Sequence, residues 1–369
     1  MKKRFLRDIA EIQTGPFGSQ LHKEDYVDVG TPIVTVEHLG SRVFSEQNLP
    51  MVSDADKSRL SKYVLKKGDI VFSRVGSVDR CSFVDQKHDG WMFSGRCLRV
   101  RPSEEADPLF LYYFFCLNTT KEFVRSIAVG ATMPSINTKL LGEVEVVCPE
   151  IEEQRKIADI LSKIDDKIEE NQKINENLEQ QAQAIYCDMF ITNANPSWQL
   201  GRLSDLIAVR YGKNHKKLAD GIYPVYGSGG IMRYAEKPLY DKESVLIPRK
   251  VTLNNVMYVN KPFWSVDTMF FTEMKLPNVA KFVFHFVKSK DLASLNAGSA
   301  VPSMTTDILN AMELSIPDAN TLYKFENIVA PMYQAMQQNT QQSSKLAELR
   351  DSLLPRLMSG EIDVTDIQI

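Results

Sequence analysis

The chain has 369 residues, 43% of them hydrophobic and 25% charged, with a formal net charge of −3. This is the composition of an ordinary soluble protein, long enough for two or more domains with their own cores. Five cysteines without a C-x-x-C pair and five scattered histidines argue against a disulfide frame or a zinc site and for reduced thiols in a cytoplasmic protein. The basic start, Met1-Lys2-Lys3-Arg4, is followed by no long apolar run, so no signal peptide is expected. The longest apolar stretch, 108–117, is too short to span a bilayer and reads as a buried helix.

In chain order, segments 32–36, 69–73 and 97–101 read as strands, with Lys67-Gly68 as the turn before the second. Segments 108–117 and 121–127 read as helices. From 151 to 190 there is no Gly or Pro and good helix formers dominate. There Ile157, Ile164, Asn171, Leu178 and Ile185 fall seven apart, flanked by Ile160, Leu161, Ile168, Ile174, Ala182 and Met189. This predicts a long helix burying one stripe against another helix, roughly 60 Å long at ~1.5 Å per residue. Residues 193–198 form a linker. Strands are then expected at 223–226, 244–247, 255–259 and 269–272, and a helix at 279–288.

Adding 168 to the heptad positions gives Phe325, Met332, Asn339, Leu346 and Leu353, with Ile328, Val329, Met336 and Leu357 beside them. Both series carry Asn in the middle. If the helices pack antiparallel, Asn171 and Asn339 face each other and trade stability for register. Two unrelated amphipathic helices are the plainer alternative. Pro331 predicts a kink or break at Val329–Ala330, and Pro355 should end or bend the helix again. The acidic tail, 361–369, is expected to be poorly ordered.

The repeat reaches beyond the helices. Segment 127–149 aligns with 295–317 without a gap, with Gly130/Gly298, Pro134/Pro302, Ser135/Ser303, Thr138/Thr306, Leu141/Leu309, Glu145/Glu313 and Pro149/Pro317 identical. Leu6-x-Asp8-Ile9 similarly resembles Leu203-x-Asp205-Leu206. The chain thus reads as a first domain (1–150), a long helix (151–190), a second domain (191–317), a second long helix (318–360) and a tail (361–369). The expected fold class is α+β: two mixed α/β domains in pseudo-twofold repeat, separated by two long helices packed as an antiparallel coiled coil.

Charge follows these segments. Residues 1–150 carry 20 basic and 20 acidic side chains, 151–190 carry 5 and 10, 191–317 carry 15 and 10, and 318–369 carry 4 and 7. The acidity sits on the helical segments, while the second domain is basic and compatible with DNA. Catalytic patterns are lacking: there is no G-x-x-x-x-G-K-[ST] loop and no H-E-x-x-H site. Gly227-Ser228-Gly229-Gly230 has no following Lys and reads as a tight turn. Asn195-Pro196-Ser197-Trp198 faintly resembles an adenine methyltransferase motif but stands in a linker with no cofactor-binding glycine motif. The chain reads as non-enzymatic, with no cofactor and no metal of its own.

P-E-I-E-E-Q-R-K-I-A-D-I-L-S-K-I-D (149–165) resembles the start of the first long helix in specificity subunits of type I restriction–modification systems, and L-L-P-R-L-M-S-G-E-I (353–362) the end of their second. G-P-F-G-S-Q-L (15–21) and Y-G-S-G-G-I (226–231) resemble openings of their target recognition domains. The second helix departs from the pattern, with Thr321-Leu322 in place of the Glu153-Gln154 pair. The resemblance implies a subunit that binds double-stranded DNA, each domain reading half of a bipartite target and the helix pair setting the spacer. It implies two modification subunits and restriction subunits as partners, no membrane, and S-adenosylmethionine, ATP and Mg2+ used by those partners. A non-DNA coiled-coil scaffold is the competing reading; salt-dependent duplex binding separates the two.

Arg74 and Arg249 are the sharpest DNA-contact candidates, each following a predicted strand and opening a polar loop, 74–80 (with Arg80) and 249–255 (with Lys250 and Asn254). Arg matches guanine O6 and N7, and Asn matches adenine. Surface charge or internal ion pairing is the alternative for each. Lys213, Asn214, His215, Lys216 and Lys217 form a basic loop suited to phosphates. Phe17, Gly18, Ser19, Gln20 and Lys23 form a weaker counterpart in the first domain. Tyr211, Tyr226 and Tyr234 suit either a groove or the core.

Overall fold

The computed structural model describes residues 2–16, 20–250, 252–295 and 303–364, which form two compact units: 1–170 with 341–369, and 171–340. Phe17, Gly18, Ser19, Val251, Gly298, Pro302, residues 365–369 of the tail and the side chain of Lys23 lie outside the described part.

The first unit is built on two small sheets. One has the order Ala10–Thr14, Cys97–Pro102, Ile70–Ser73, Cys81–Phe83, antiparallel throughout. Ile70–Ser73 is buried at every position, because its sheet is covered on both faces, and such a strand reads as a continuous apolar run. The neighbouring strand nevertheless carries Arg99 and Arg101. Arg101 lies bidentate on buried Asp69, at 2.7 Å to each oxygen, and Arg99 meets Glu11 at 2.6 Å. The second sheet runs Tyr26–Val27, Met51–Val52, Thr31–Val34, Met92–Phe93, its last pairing parallel. Helix Pro108–Cys116 starts where Asp107 accepts the Phe110 amide at 2.9 Å and Pro108 occupies the first turn. Lys2–Phe5 closes the domain by pairing with Glu145–Cys148.

The second unit repeats this plan. Its main sheet is Ile207–Tyr211, Met269–Met274, Ser244–Pro248, Met257–Val259. Strand Tyr223–Gly227 pairs parallel with Trp264–Ser265 and forms a hairpin with Gly230–Ala235. Helix Ala280–Lys288 stands where Pro108–Cys116 stands in the first unit, and Gln199–Arg202 pairs with Glu313–Ile316 as Lys2–Phe5 does with Glu145–Cys148. The duplication inferred from identities at the ends of the domains is thus a duplication of topology.

The first long helix runs from Ile151 to Cys187 and continues as a π-turn, Asp188–Thr192. The second, Ala319–Met358, is continuous, so of the kink or break expected at Val329–Ala330, ahead of Pro331, the break is absent, and Pro355 does not end the helix. Both prolines lie on the exposed side, as do Asn327 and Asp351 four residues before them, so the carbonyls that lose a partner are left to water. Burial of Phe325, Val329 and Tyr333 on the inner side offsets the ~3 kcal/mol cost of an internal proline. In the second unit the two helices are antiparallel: Asn171 meets Asn339, Asn175 the Met336 carbonyl, and Tyr186 the ring of Phe325. In the first unit Ile157, Ala158 and Leu161 share a core with Leu354, Leu357 and Met358. Ile174 and Ile328, expected in the seam, are instead 39% and 47% exposed; the buried stripe is narrower than the apolar one. No described helix is long and apolar enough to cross a membrane.

The helices begin differently. Gln154 is buried: its carbonyl oxygen accepts the Asp107 amide, and its amide donates to the carbonyls of Glu105 and Pro149. At the aligned place Leu322 is buried among apolar side chains, and Asp318 caps the helix by accepting the Thr321 amide at 3.0 Å. The missing glutamine is replaced by packing plus a cap.

Candidate nucleic-acid interface

Arg74 and Arg249 occupy matching places and make matching bonds. Each directly follows the central strand of its sheet. Arg74 donates its amide to the Arg96 carbonyl (2.8 Å) and its Nη1 to the Gly95 carbonyl (3.2 Å). Arg249 donates its amide to Thr268 (2.9 Å) and its Nη1 to Asp267 (3.2 Å). Each carbonyl then accepts an amide from the loop ahead of the next short helix, Ile136 in one unit and Met304 in the other, both at 2.9 Å. One edge of each guanidinium thus braces a loop. Neither arginine is buried.

In the second unit the loops converge on Arg249. Its guanidinium lies 5.2 Å from the centre of the Tyr211 ring, which is half exposed. Tyr211 ends its strand and leads into the basic loop. That loop is fixed by its main chain: the Lys213 amide donates to Ser265 and the Lys213 carbonyl accepts Trp264 Nε1, both at 2.8 Å. Asn214 turns its Oδ1 back onto the Lys216 amide at 2.9 Å, and Lys213, Lys216 and Lys217 are exposed. On the other side, Thr252 and Asn255 both donate to the Ser228 carbonyl, at 3.1 and 2.7 Å. This ties the hairpin turn to the loop that Arg249 opens. Gly227 and Gly230 pair across a two-residue turn, with Gly230 at φ +114°, and the turn presents Ile231 and Met232 to solvent. Loops tied around Arg249 thus carry exposed lysines, a half-exposed ring and two exposed apolar side chains.

Several other candidates are engaged by hydrogen bonds within their own domain. Both ends of the Asn254 amide are engaged, Nδ2 by Asp291 and Oδ1 by the Ala293 amide, each at 3.0 Å. Lys250 is exposed and bridges through its main chain to Ser303. Tyr226 belongs to the core, and burial pushes its phenol up to about 12. Tyr234 is half exposed. In the first unit Arg80 donates to the Leu39 carbonyl, while Gln20 accepts the Tyr63 hydroxyl at 2.6 Å through Oε1 and Arg59 through its carbonyl. Lys23 lies on a single helical turn, Lys23–Asp25. A cleft of about 610 Å3 opens there, lined by Tyr26, Thr35, Glu37, Arg74 and Arg96. Gly76, at φ +75°, turns the loop after Arg74 and donates to the Pro134 carbonyl. Arg96, Ile231 and Met232 were not among the contact residues expected from the sequence; the fold brings Arg96 to the cleft beside Arg74 and exposes Ile231 and Met232 after the hairpin turn.

Asn195 accepts from the Ser197 amide and hydroxyl, and Trp198 reaches Asp318 at 3.2 Å; this segment is a turn capped by the second long helix. Among the described residues no group of three or more His, Cys, Asp or Glu is placed to hold a metal.

Comparison with known proteins gives a consistent result. The family model described as the type I restriction modification DNA specificity domain matches twice, over residues 1–180 and 195–343. A type I restriction enzyme specificity subunit of Methanocaldococcus jannaschii is 24% identical, with 98% of this chain and 93% of that protein covered. One from Haemophilus influenzae is 23% identical over 82% of this chain and 88% of the other. Among solved structures, the type I restriction–modification S subunit from M. genitalium shares the fold with a TM-score of 0.59 at 18% identity, covering 96% of this chain and 95% of that one.

Proposed function

This chain belongs to the type I restriction modification DNA specificity family, and from that premise we propose how it works. It is the sequence-specific DNA-binding subunit of a type I restriction–modification complex. Each globular domain reads one half of a bipartite target, and the helix pair sets the spacer between the halves. The observation that carries this reading is the double match to one DNA specificity domain, paired with the same topology built twice around an arginine that follows the central strand.

In the second domain Lys213, Lys216 and Lys217 meet phosphates, as flexible exposed ammonium groups do. Arg249 keeps one nitrogen on the Asp267 carbonyl and offers the rest of its fork to a guanine edge. Ile231 and Met232 offer apolar contact of the kind that distinguishes a thymine methyl. Arg74 and Arg96 take the corresponding role beside the cleft of the first domain. The chain itself performs no chemistry. Two modification subunits methylate adenine with S-adenosylmethionine, and restriction subunits spend ATP with Mg2+ to cleave.

Single-molecule methylation sequencing of host DNA, with and without this chain, tests the proposal. Loss of one bipartite methyladenine motif on deletion is the expected result. An unchanged methylome, together with salt-independent or absent duplex binding by the chain purified with its partners, overturns it.

A further inference from the structure

Each unit contains a buried polar link joining three helices. In the first, Tyr113 on helix Pro108–Cys116 donates its hydroxyl to Asp165 Oδ2 at 2.7 Å, and Arg350 donates Nη1 to Asp165 Oδ1 at 2.7 Å. Asp165 stands on the first long helix and Arg350 on the second. In the second unit, His285 on helix Ala280–Lys288 meets the Tyr333 hydroxyl through Nε2 at 2.9 Å and Gln183 Oε1 through Nδ1 at 2.7 Å. Tyr333 stands on the second long helix and Gln183 on the first. Asp165 and Tyr333 are 168 residues apart, the spacing of the internal repeat.

Asp165 corresponds to Tyr333 and Tyr113 to His285, with Arg350 and Gln183 one residue out of the repeat, while the chemistry differs, an ion pair with a phenol in one unit and a neutral imidazole network in the other. What the two links share is the set of elements they join: the domain's own helix and both long helices. Tyr113, Asp165 and His285 are all buried, and apolar packing surrounds each link, with Tyr186, Phe284 and Phe325 around His285. Apolar contacts tolerate small rotations and slides, whereas hydrogen bonds are directional and a buried polar group is costly to leave unpaired. Such a link therefore selects one setting of the domain on the helix pair.

Resting on the DNA-specificity reading above, we propose that Tyr113–Asp165–Arg350 and Gln183–His285–Tyr333 are positioning residues that fix the angle of each reading domain on the helix pair, and so set the spacer length accepted between half-sites. They touch no base in this scheme. They act through the domain they hold.

The test uses the full chain assembled with its modification subunits and duplexes carrying both half-sites with the spacer lengthened or shortened by one or two base pairs. Adenine methylation is measured across the set for the wild type, for the apolar replacement Q183L/H285F/Y333F and for the single variant Tyr333→Phe. The triple variant should lower discrimination between the preferred spacer and its neighbours roughly tenfold, about threefold for each of the two hydrogen bonds it removes, while preference for each half-site stays unchanged. Tyr333→Phe should lower discrimination in the same direction, by roughly threefold, and decides the matter if the triple variant does not fold. A purely structural role lowers methylation equally at every spacer, and an unchanged profile in a folded variant overturns the proposal. If the wild-type complex methylates no bipartite target, the DNA-specificity reading itself fails; a sharp wild-type spacer profile that the variants retain removes only the positioning role.

Discussion

His285 offers a quantitative test of the second unit's core. It is fully buried on helix Ala280–Lys288, between Gln183, Tyr333 and the stacked ring of Tyr186, with the Lys288 ammonium near. Gln183 Oε1 can only accept, so Nδ1 carries the proton and Nε2 accepts from Tyr333; the ring is held neutral. Burial, helped by Lys288, lowers its pKa from 6.5 to about 4. The lowered value fixes the sign of the pH effect. Between pH 6.5 and 4 the unfolded chain takes up a proton that the folded chain refuses, so stability is fully present above the unfolded pKa and is lost as pH falls. The loss amounts to roughly 1 kcal/mol at pH 5.5 and roughly 3 kcal/mol at pH 4. Two measurements check it. The His285 ring resonance should show no titration above about pH 5, and urea unfolding of His285→Gln, which does not titrate, should lose that part of the acid sensitivity relative to wild type. A native-state titration near 6.5, or identical pH slopes for variant and wild type, would refute the reasoning.

Further outcomes follow from other side chains. Asp165→Ala leaves the buried Tyr113 hydroxyl unpaired and Arg350 with Asp351 alone, and should cost ~1–3 kcal/mol in denaturant unfolding. Replacing Lys213, Lys216 and Lys217 together by Ala should flatten the salt dependence of duplex binding by ~0.9 in log–log slope for each phosphate no longer neutralised, leaving sequence preference intact. Arg249→Lys keeps the charge but loses the fork, so it should cost ~1–3 kcal/mol at one base position of one half-site, read in a binding titration against single-base substitutions.

The sequence disclosed elements wherever burial leaves a local pattern. The run Ile70–Ser73 and helix Pro108–Cys116 were legible because their side chains are nearly all buried. Strands Lys2–Phe5 and Gln199–Arg202 were not, since their partners lie more than a hundred residues away and most of their side chains face solvent. Gly230–Ala235 likewise has half its residues exposed and forms a strand because its turn and bulge make it one. The site divides the same way. Arg74 and Arg249 could be picked out by their place after a strand, but their carbonyl braces depend on distant loops. Asn254 looked like a base reader, but both ends of its amide are hydrogen-bonded within its own domain. Asp165, Tyr113 and Arg350 are ordinary residues in sequence and acquire a role only once three helices meet.

The paired asparagines show how a polar residue in an apolar stripe acts. Asn171 is 1% exposed and donates Nδ2 to the Asn339 carbonyl at 3.4 Å, while Asn339 donates its own Nδ2 to Asn175 Oδ1 at 2.9 Å. Asn175 in turn donates to the Met336 carbonyl and the Thr340 hydroxyl, both at 3.3 Å. The three amides form a ladder across the two helices within the second unit. A slide by one turn would carry Asn171 away from the Asn339 carbonyl and break the ladder, and a buried amide left unpaired costs ~1–3 kcal/mol, which isoleucine would not incur. Asn171→Ile with Asn339→Ile should therefore raise the melting temperature and, at the same time, widen the range of spacers methylated. Both changes must appear together. A higher melting temperature with an unaltered spacer profile would mean that the ladder adds only cost and that register is set elsewhere, and a lower one would mean that the amides stabilise the pair outright.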